Sequence, residues 1–476
     1  MNMLIGGEET ASLDETWTEV INPATGVVLD HVPRGSAHDV DNAVESAQGA
    51  FDSWSKKTTR ERGMVLCRAA ELIRQQHTDL ARLLTREQGK PLRESIDEVR
   101  GCANILEYYA SIAGKPAGEA INLGSAGDCM VMREPLGVCG AIIPWNMPVI
   151  IMGWKIGPAL LAGNTLVLKP ASATPLTNLK IAGCMRDAGL PPGVLNVVTG
   201  PGETVGEAIV KHPLIRKISF TGDCATGYRI REMAAHQFKD ITLELGGSDP
   251  MIVMADADLN RAVEGALRGR FYNAGQICTA VKRLYLDEKI STGFIKKLKD
   301  LSEGMKIGNG LTPGTDIGPL VSREQVDRMS SCMNRVREKD EGSILTGGCT
   351  LSGGEYDAGF FYKPTLITDV DPQSGLLTTE IFGPVLPIMT FPDLDTAIAE
   401  ANRTRYGLGA SIWTKDLSTV KRVYREVNAG IIWVNRHLTI PPEIPFGGMN
   451  ESGIGRENGY HALESYSRTK TLFMGW

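Results

Sequence analysis

At 476 residues the chain is longer than one hydrophobic core ordinarily supports, so two or three domains are expected. Its 42% hydrophobic and 22% charged residues read as an ordinary water-soluble globular protein, and a net charge of −6 without a lysine or arginine block argues against a nucleic-acid partner. Nine cysteines, at 67, 102, 129, 139, 184, 224, 278, 332 and 349, form no Cys-x-x-Cys pair and lie beside no histidine cluster, which excludes a disulfide framework and gives no metal site.

The N-terminal stretch 1–9 lacks the charged start and apolar run of a signal peptide, so a cytoplasmic protein with no membrane partner is expected. Apolar positions recur at helical spacing over 39–54, 59–76, 79–88 and 93–113. The first hundred or so residues are expected to be mostly helical and to serve packing, with no part in chemistry. The apolar stretch 137–163 could suggest a membrane span, but Pro144, Asn146, Pro148 and Lys155 interrupt it. A buried strand, a turn and a buried helix fit it better.

From residue 137 short runs rich in valine and isoleucine alternate with helical segments. Runs at 137–143, 165–169, 194–199 and 217–221 are separated by helices that include 175–188, 203–211 and 225–235. This alternation implies a parallel sheet covered on both faces, with ligands at the carboxyl ends of its strands. Asn146, Lys169, Gly200, Gly202 and Gly222 stand at those ends. A second alternation follows residue 245: strands at 251–254, 283–286 and 430–434, helices at 259–272, 292–301, 322–338, 394–402 and 417–428. The fold class is therefore α/β, with two doubly wound domains. Segments 120–132 and 465–473 could not bury themselves alone and suggest a small β arm that pairs with another subunit.

Within the second alternation, Phe271-Tyr-Asn-Ala-Gly-Gln-Ile-Cys-Thr279 sets a cysteine behind a glycine and amide-bearing neighbours. A thiol attacks only as thiolate and needs a base or a positive environment nearby. Glu244, in Leu243-Glu-Leu-Gly-Gly247, is the upstream candidate for the base. A lone cysteine is more often a small buried hydrophobe, and the remaining motifs decide between the two.

Those motifs are Pro144-Trp-Asn-Met-Pro148, Lys169-Pro-Ala-Ser172, Phe220-Thr-Gly222, Leu243-Glu-Leu-Gly-Gly247, Gly275-Gln-Ile-Cys278, Glu380-Ile-Phe-Gly-Pro384 and Pro445-Phe-Gly-Gly448. Through all seven, in order, the chain resembles the aldehyde dehydrogenase superfamily over nearly its whole length. The resemblance implies that Cys278 attacks the aldehyde, that Asn146 and the Cys278 N–H stabilise the oxyanion, and that Glu244 activates the water that hydrolyses the thioester. It implies a dinucleotide, NAD or NADP, held by Ile143, Pro144, Trp145, Lys169, Ser172, Gly202, Phe220, Gly222, Leu245, Glu380 and Phe382. Gly227 would border the pyrophosphate, and Asp223 departs from the serine many relatives carry there. Trp154 stands where semialdehyde-oxidising relatives place an arginine, which implies a neutral aldehyde. Glu244 favours hydrolysis over acyl transfer to coenzyme A, and an intact Cys278, Glu244 and Asn146 argue against a non-catalytic descendant.

The domains expected are a dinucleotide-binding domain from 1–118 and 136–245, a catalytic domain over 246–440, and an arm from 119–135 and 460–476. The arm implies a homodimer or homotetramer. Ser172 stands where NAD-restricted relatives carry a glutamate, so NADP is expected to be accepted.

Overall fold

The computed structural model describes residues 1–115 and 118–475; residues 116, 117 and 476, which include the last position of the expected arm, lie outside them. An eight-stranded sheet runs in the spatial order Gly453–Ile454, Asp240–Glu244, Ile215–Thr221, Val138–Ile142, Thr165–Lys169, Leu195–Val197, Met3–Ile5, Glu8–Thr10. Its five inner strands are parallel, and the outer pairings are antiparallel. The chain winds from Val138–Ile142 outward to Leu195–Val197, then returns to lay Ile215–Thr221 on the other side. That reversal opens a crevice at the carboxyl ends of those two strands.

A seven-stranded sheet follows in the order Ser343–Thr346, Thr365–Thr368, Val385–Phe391, Val281–Asp287, Asp249–Val253, Gly409–Trp413, Ile431–Val434, parallel except at its first pairing. Parallel strands buried on both faces read as continuous apolar runs, as in the fully buried Thr165–Lys169 and Asp249–Val253. The carboxyl edge of the first sheet meets the amino edge of the second. Glu244 ends a strand of one and Asp249 opens a strand of the other.

The helices begin where capping chemistry sets them. Ser36 and Asp39 form a reciprocal capping box at Ala37–Ser55, and Thr58 with Glu61 does the same at Thr59–Gln75. His77–Gln88 and Leu92–Ser111 complete the helical stretch. The first 33 residues of the chain differ from the helical expectation: they hold four strands, two of which form the half-exposed hairpin Trp17–Ile21 with Val28–Pro33. Strands of 3 residues, such as Met3–Ile5, are too short to carry a period and are made by pairing with Leu195–Val197.

A three-stranded sheet joins Glu119–Asn122, Asp128–Pro135 and Ser467–Met474, the last two in register along eight residue pairs. The stretch 137–163 is the strand Val138–Ile142 and the buried helix Pro148–Leu161. Among the described residues no helix is long and apolar enough to cross a membrane.

Candidate active site

The thiol of Cys278 is carried by a turn that the chain must be held to make. Helix Leu259–Phe271, capped by Asp258, leads into three successive left-handed residues, Asn273 (φ 50°), Ala274 (φ 53°) and Gly275 (φ 74°). Gly275 is required twice over, because a Cβ there would lie 2.3 Å from the carbonyl oxygen of Gly383. The strained pair before it is tied from outside: the Asn273 N–H donates to the Glu94 carboxylate at 2.8 Å, and its Nδ2 donates to the Asn146 carbonyl at 2.9 Å.

Asn146 stands four residues beyond the end of Val138–Ile142, at the crevice. Its Nδ2 donates to the Gln276 carbonyl at 3.0 Å, two residues before Cys278, so the amide and the cysteine turn are locked together. The Asn146 carbonyl also accepts from Lys90 Nζ, which is paired with Glu98; both side chains are fully buried. Glu98 Oε1 in turn accepts from the N–H groups of Val149 and Ile150 at the start of helix Pro148–Leu161. The helices of the first hundred residues thus do more than pack: they deliver Lys90, Glu94 and Glu98 to the turn that bears the thiol. Each is a buried charged residue, Glu94 and Glu98 on helix Leu92–Ser111 and Lys90 in the turn before it.

Glu244 is the last residue of Asp240–Glu244, in register with Thr221 and Gly453. Its side chain is buried, and neither carboxylate oxygen has a hydrogen-bond partner among the described residues. Burial raises its carboxyl well above the ordinary range; Glu457 adds to this, and Lys155 and Arg456 oppose it. Lys155 is itself held, donating to Glu457 and to Thr221 Oγ1, each at 2.8 Å. Burial pushes the Cys278 thiol up to about 12. The ammonium of Lys282 opposes that rise, while Glu380, Asp249 and Glu244 add to it.

On the cofactor side the expected residues fall into two groups. Lys169 ends its strand, buried, with Nζ donating to the Pro170 carbonyl at 3.1 Å; burial lowers its pKa to about 8. Ile143 donates its N–H to the Lys169 carbonyl, and the Ser172 hydroxyl donates to the Gly200 carbonyl at 3.2 Å. Gly202 opens onto free space, with no atom within 4 Å of a Cβ placed there. Gly222 packs on the ring of Phe220 and Gly227 on the side chain of Leu245, where a Cβ would come within 2.4 Å and 2.6 Å. Asp223 caps helix Cys224–Ala234, its carboxylate accepting from Thr226 N–H at 2.9 Å, which turns its charge back onto its own helix.

The second group is Trp145, Phe382 and Glu380. The rings of Trp145 and Phe382 meet edge to face at 5.4 Å, beyond Pro144. Glu380 accepts from the Gly247 N–H at 3.2 Å and from Lys282 Nζ at 2.7 Å, and a Cβ on Gly246 would lie 2.2 Å from its other oxygen.

Trp154 lines a cavity of about 450 Å³ that reaches Cys278. It is buried, with its ring 5.1 Å from that of Phe446, and Ile105, Met147, Ile150 and Ile440 extend the apolar wall. Asp97, Arg268 and Tyr272 are shared with a neighbouring hollow of about 560 Å³ that does not reach the thiol. Cys278 itself lies at the amino edge of the seven-stranded sheet, just before Val281–Asp287, so the carboxyl-end rule locates Asn146 but not the thiol.

This arrangement matches known proteins along the whole chain. The model of the "Aldehyde dehydrogenase family" matches residues 9–472. A phenylacetaldehyde dehydrogenase of Pseudomonas fluorescens is 42% identical over 486 residues, covering all of this chain and 96% of the relative. Among solved structures, an E. coli NADP-dependent enzyme superposes with a TM-score of 0.97 at 38% identity, covering all of this chain and 98% of that one. A betaine aldehyde dehydrogenase from Staphylococcus aureus, in complex with NAD+, does so with a TM-score of 0.97 at 35% identity, covering 100% and 95%. With motifs, fold and relatives in agreement from end to end, the chain belongs to the aldehyde dehydrogenase family.

Proposed function

We propose that this protein oxidises a neutral aldehyde to its carboxylic acid with NAD or NADP, through a thioester on Cys278. The observation that carries the reading is the Asn146 amide locked onto the turn that bears Cys278, whose residues Ile277, Cys278 and Thr279 line a largely apolar cavity. In the first step the Cys278 thiolate attacks the carbonyl carbon; a C–S bond forms and the π pair moves onto oxygen. Asn146 Nδ2 and the Cys278 N–H would hold that oxyanion, one such donor being worth roughly 3 kcal/mol. A bound nicotinamide supplies the acceptor for the hydride. Water then adds to the thioester carbonyl as Glu244 takes its proton, for which its buried carboxylate suits it, and the C–S bond breaks to release the carboxylic acid and the Cys278 thiolate.

The residues fit such a dinucleotide. Buried Lys169 uses one of its three N–H groups, leaving donors for a ribose, and Gly202 leaves open space beside it. Ile143, Ser172, Phe220, Gly222 and Leu245 would frame the adenosine and diphosphate. Glu380 would hold the nicotinamide ribose, with Phe382, Pro144 and Trp145 about the ring. We assign this role to the eight-stranded body and the thiol to the seven-stranded one. The phenylacetaldehyde relative and the Trp154–Phe446 pair support an apolar or aromatic aldehyde. Arg268, among the described residues the one cation lining the cavity, is engaged over the Tyr272 ring at 5.8 Å, and Asp97 and Glu98 also line it, which supports neutral substrates over semialdehydes. A cytoplasmic homo-oligomer fits the exposed β arm.

The test is a panel of aldehydes assayed by nicotinamide absorbance with each cofactor in turn. Neutral aldehydes should give the higher kcat/KM, and Cys278→Ala should abolish turnover while dinucleotide binding persists. A higher kcat/KM for succinate semialdehyde, or turnover by Cys278→Ala, contradicts the reading.

A further inference from the structure

No motif in the sequence assigns a positive group to the Cys278 thiolate, and the structure supplies one in Lys282. Lys282 lies in Val281–Asp287, a strand buried at every position, and its side chain is wholly inaccessible to solvent. Its ammonium donates to two acceptors, the main-chain carbonyl of Cys278 and Glu380 Oε1. It also lies 5.7 Å from the centre of the Phe382 ring. Burying an ammonium is costly unless its partners are placed for it, so two bonds to these two residues are a specific arrangement.

We propose that Lys282 is a positioning residue for the reaction: one buried cation clamps the backbone of the nucleophile to the Glu380 carboxylate, and its field favours the Cys278 thiolate. The inference rests on Cys278 being the nucleophile and Glu380 the nicotinamide-ribose carboxylate. The charged and titratable groups that bear on the thiol are Lys282, Glu380, Asp249 and Glu244, and Lys282 alone opposes its rise. Asp249 does not cancel the cation, because burial raises its pKa to about 8 and leaves it largely protonated at neutral pH. Burial raises the Glu244 carboxyl too, which disfavours its charged form. The local field is thus set by Lys282 against Glu380.

That balance gives a test of sign. The rate of Cys278 alkylation by iodoacetamide is followed by mass spectrometry of its peptide from neutral to alkaline pH, in the native enzyme, Lys282→Met and Glu380→Gln. Lys282→Met should move the midpoint up by about one pH unit, which makes alkylation about tenfold slower at any fixed pH below it. Glu380→Gln should move it down. Midpoints that stay put, or a Lys282→Met midpoint that moves down as a loosened and better hydrated site would make it, overturn the proposal. Should Lys282→Met fail to fold by circular dichroism, Glu380→Gln decides alone: a lowered midpoint supports the clamp, and an unmoved or raised one overturns it. Lys282→Met should also raise KM for the dinucleotide more than KM for the aldehyde, and the reverse order overturns the link to Glu380. Failure of the underlying reading looks different: Cys278→Ala would keep its turnover, whereas failure of the clamp leaves Cys278→Ala inactive.

Discussion

Lys90 Nζ donates at 2.7 Å to the main-chain carbonyl of Asn146, 56 residues further along the chain, while Glu98 takes its other charge-assisted bond. The carbonyl is thereby pinned on one side of its peptide as the Asn146 side chain reaches for the cysteine turn on the other. Lys90→Met should therefore act twice. It leaves Glu98 as an uncompensated buried carboxylate, a loss of about 3–5 kcal/mol in denaturant unfolding. It should also lower kcat more than it raises KM for aldehyde, since the oxyanion donor matters most in the transition state. Unchanged unfolding and unchanged kcat would show the contact to be idle.

The pH dependence follows from the direction of two shifts. Glu244 must be deprotonated to take a proton from water, and Cys278 must be a thiolate to attack. Burial raises both, the thiol to about 12. Each step therefore gains as pH rises, and kcat should climb from neutral into the alkaline range until unfolding intervenes. A flat or falling profile of initial rates over that range would contradict the assignment of these two groups.

Cofactor choice turns on Ser172, whose hydroxyl donates to the Gly200 carbonyl beside the buried Lys169. A carboxylate there would repel a 2′-phosphate and spare a 2′-hydroxyl. Ser172→Glu should raise KM for NADP by about tenfold or more relative to NAD, a like-charge penalty of at least about 1.4 kcal/mol. Equal effects on the two cofactors, or a native enzyme that ignores NADP, would remove Ser172 from the choice.

The arm gives the fourth expectation. Met130, Met132, Leu472 and Phe473 are exposed on the three-stranded sheet, apolar surface that a lone subunit would leave in water. The chain should form a homodimer or homotetramer, and truncation after Glu464 should yield a smaller species in light scattering. A monodisperse full-length monomer would refute the arm.

What could be read in advance followed the physics of each signal. Residues 165–169 form a strand with the expected bounds, because a buried parallel strand writes itself as an unbroken apolar run. The hairpin at Trp17–Ile21 has mostly exposed residues and no apolar run, so its strands leave no comparable mark. The same contrast holds in the site. Cys278, Glu244 and Asn146 belong to compact motifs, each legible where it stands. Lys90, Glu98 and Lys282 act through contacts with backbone carbonyls and helix N–H groups, a kind of partner that no side-chain motif records. Lys282 left one trace, a Lys-Arg pair inside an otherwise apolar strand. Left-handed Asn273 and Ala274 left none, since neither residue type demands that conformation.

The central claim, covalent catalysis at Cys278 with Glu244 completing the cycle, is tested most directly by trapping the intermediate. Glu244→Gln is mixed with aldehyde and dinucleotide, quenched in acid within the first turnover, and its Cys278 peptide weighed by mass spectrometry. The expected result is a burst of reduced cofactor of one equivalent or less per site, slow turnover after it, and the acyl group of the aldehyde on the Cys278 sulfur. Unimpaired steady turnover with an unmodified Cys278 peptide would contradict it.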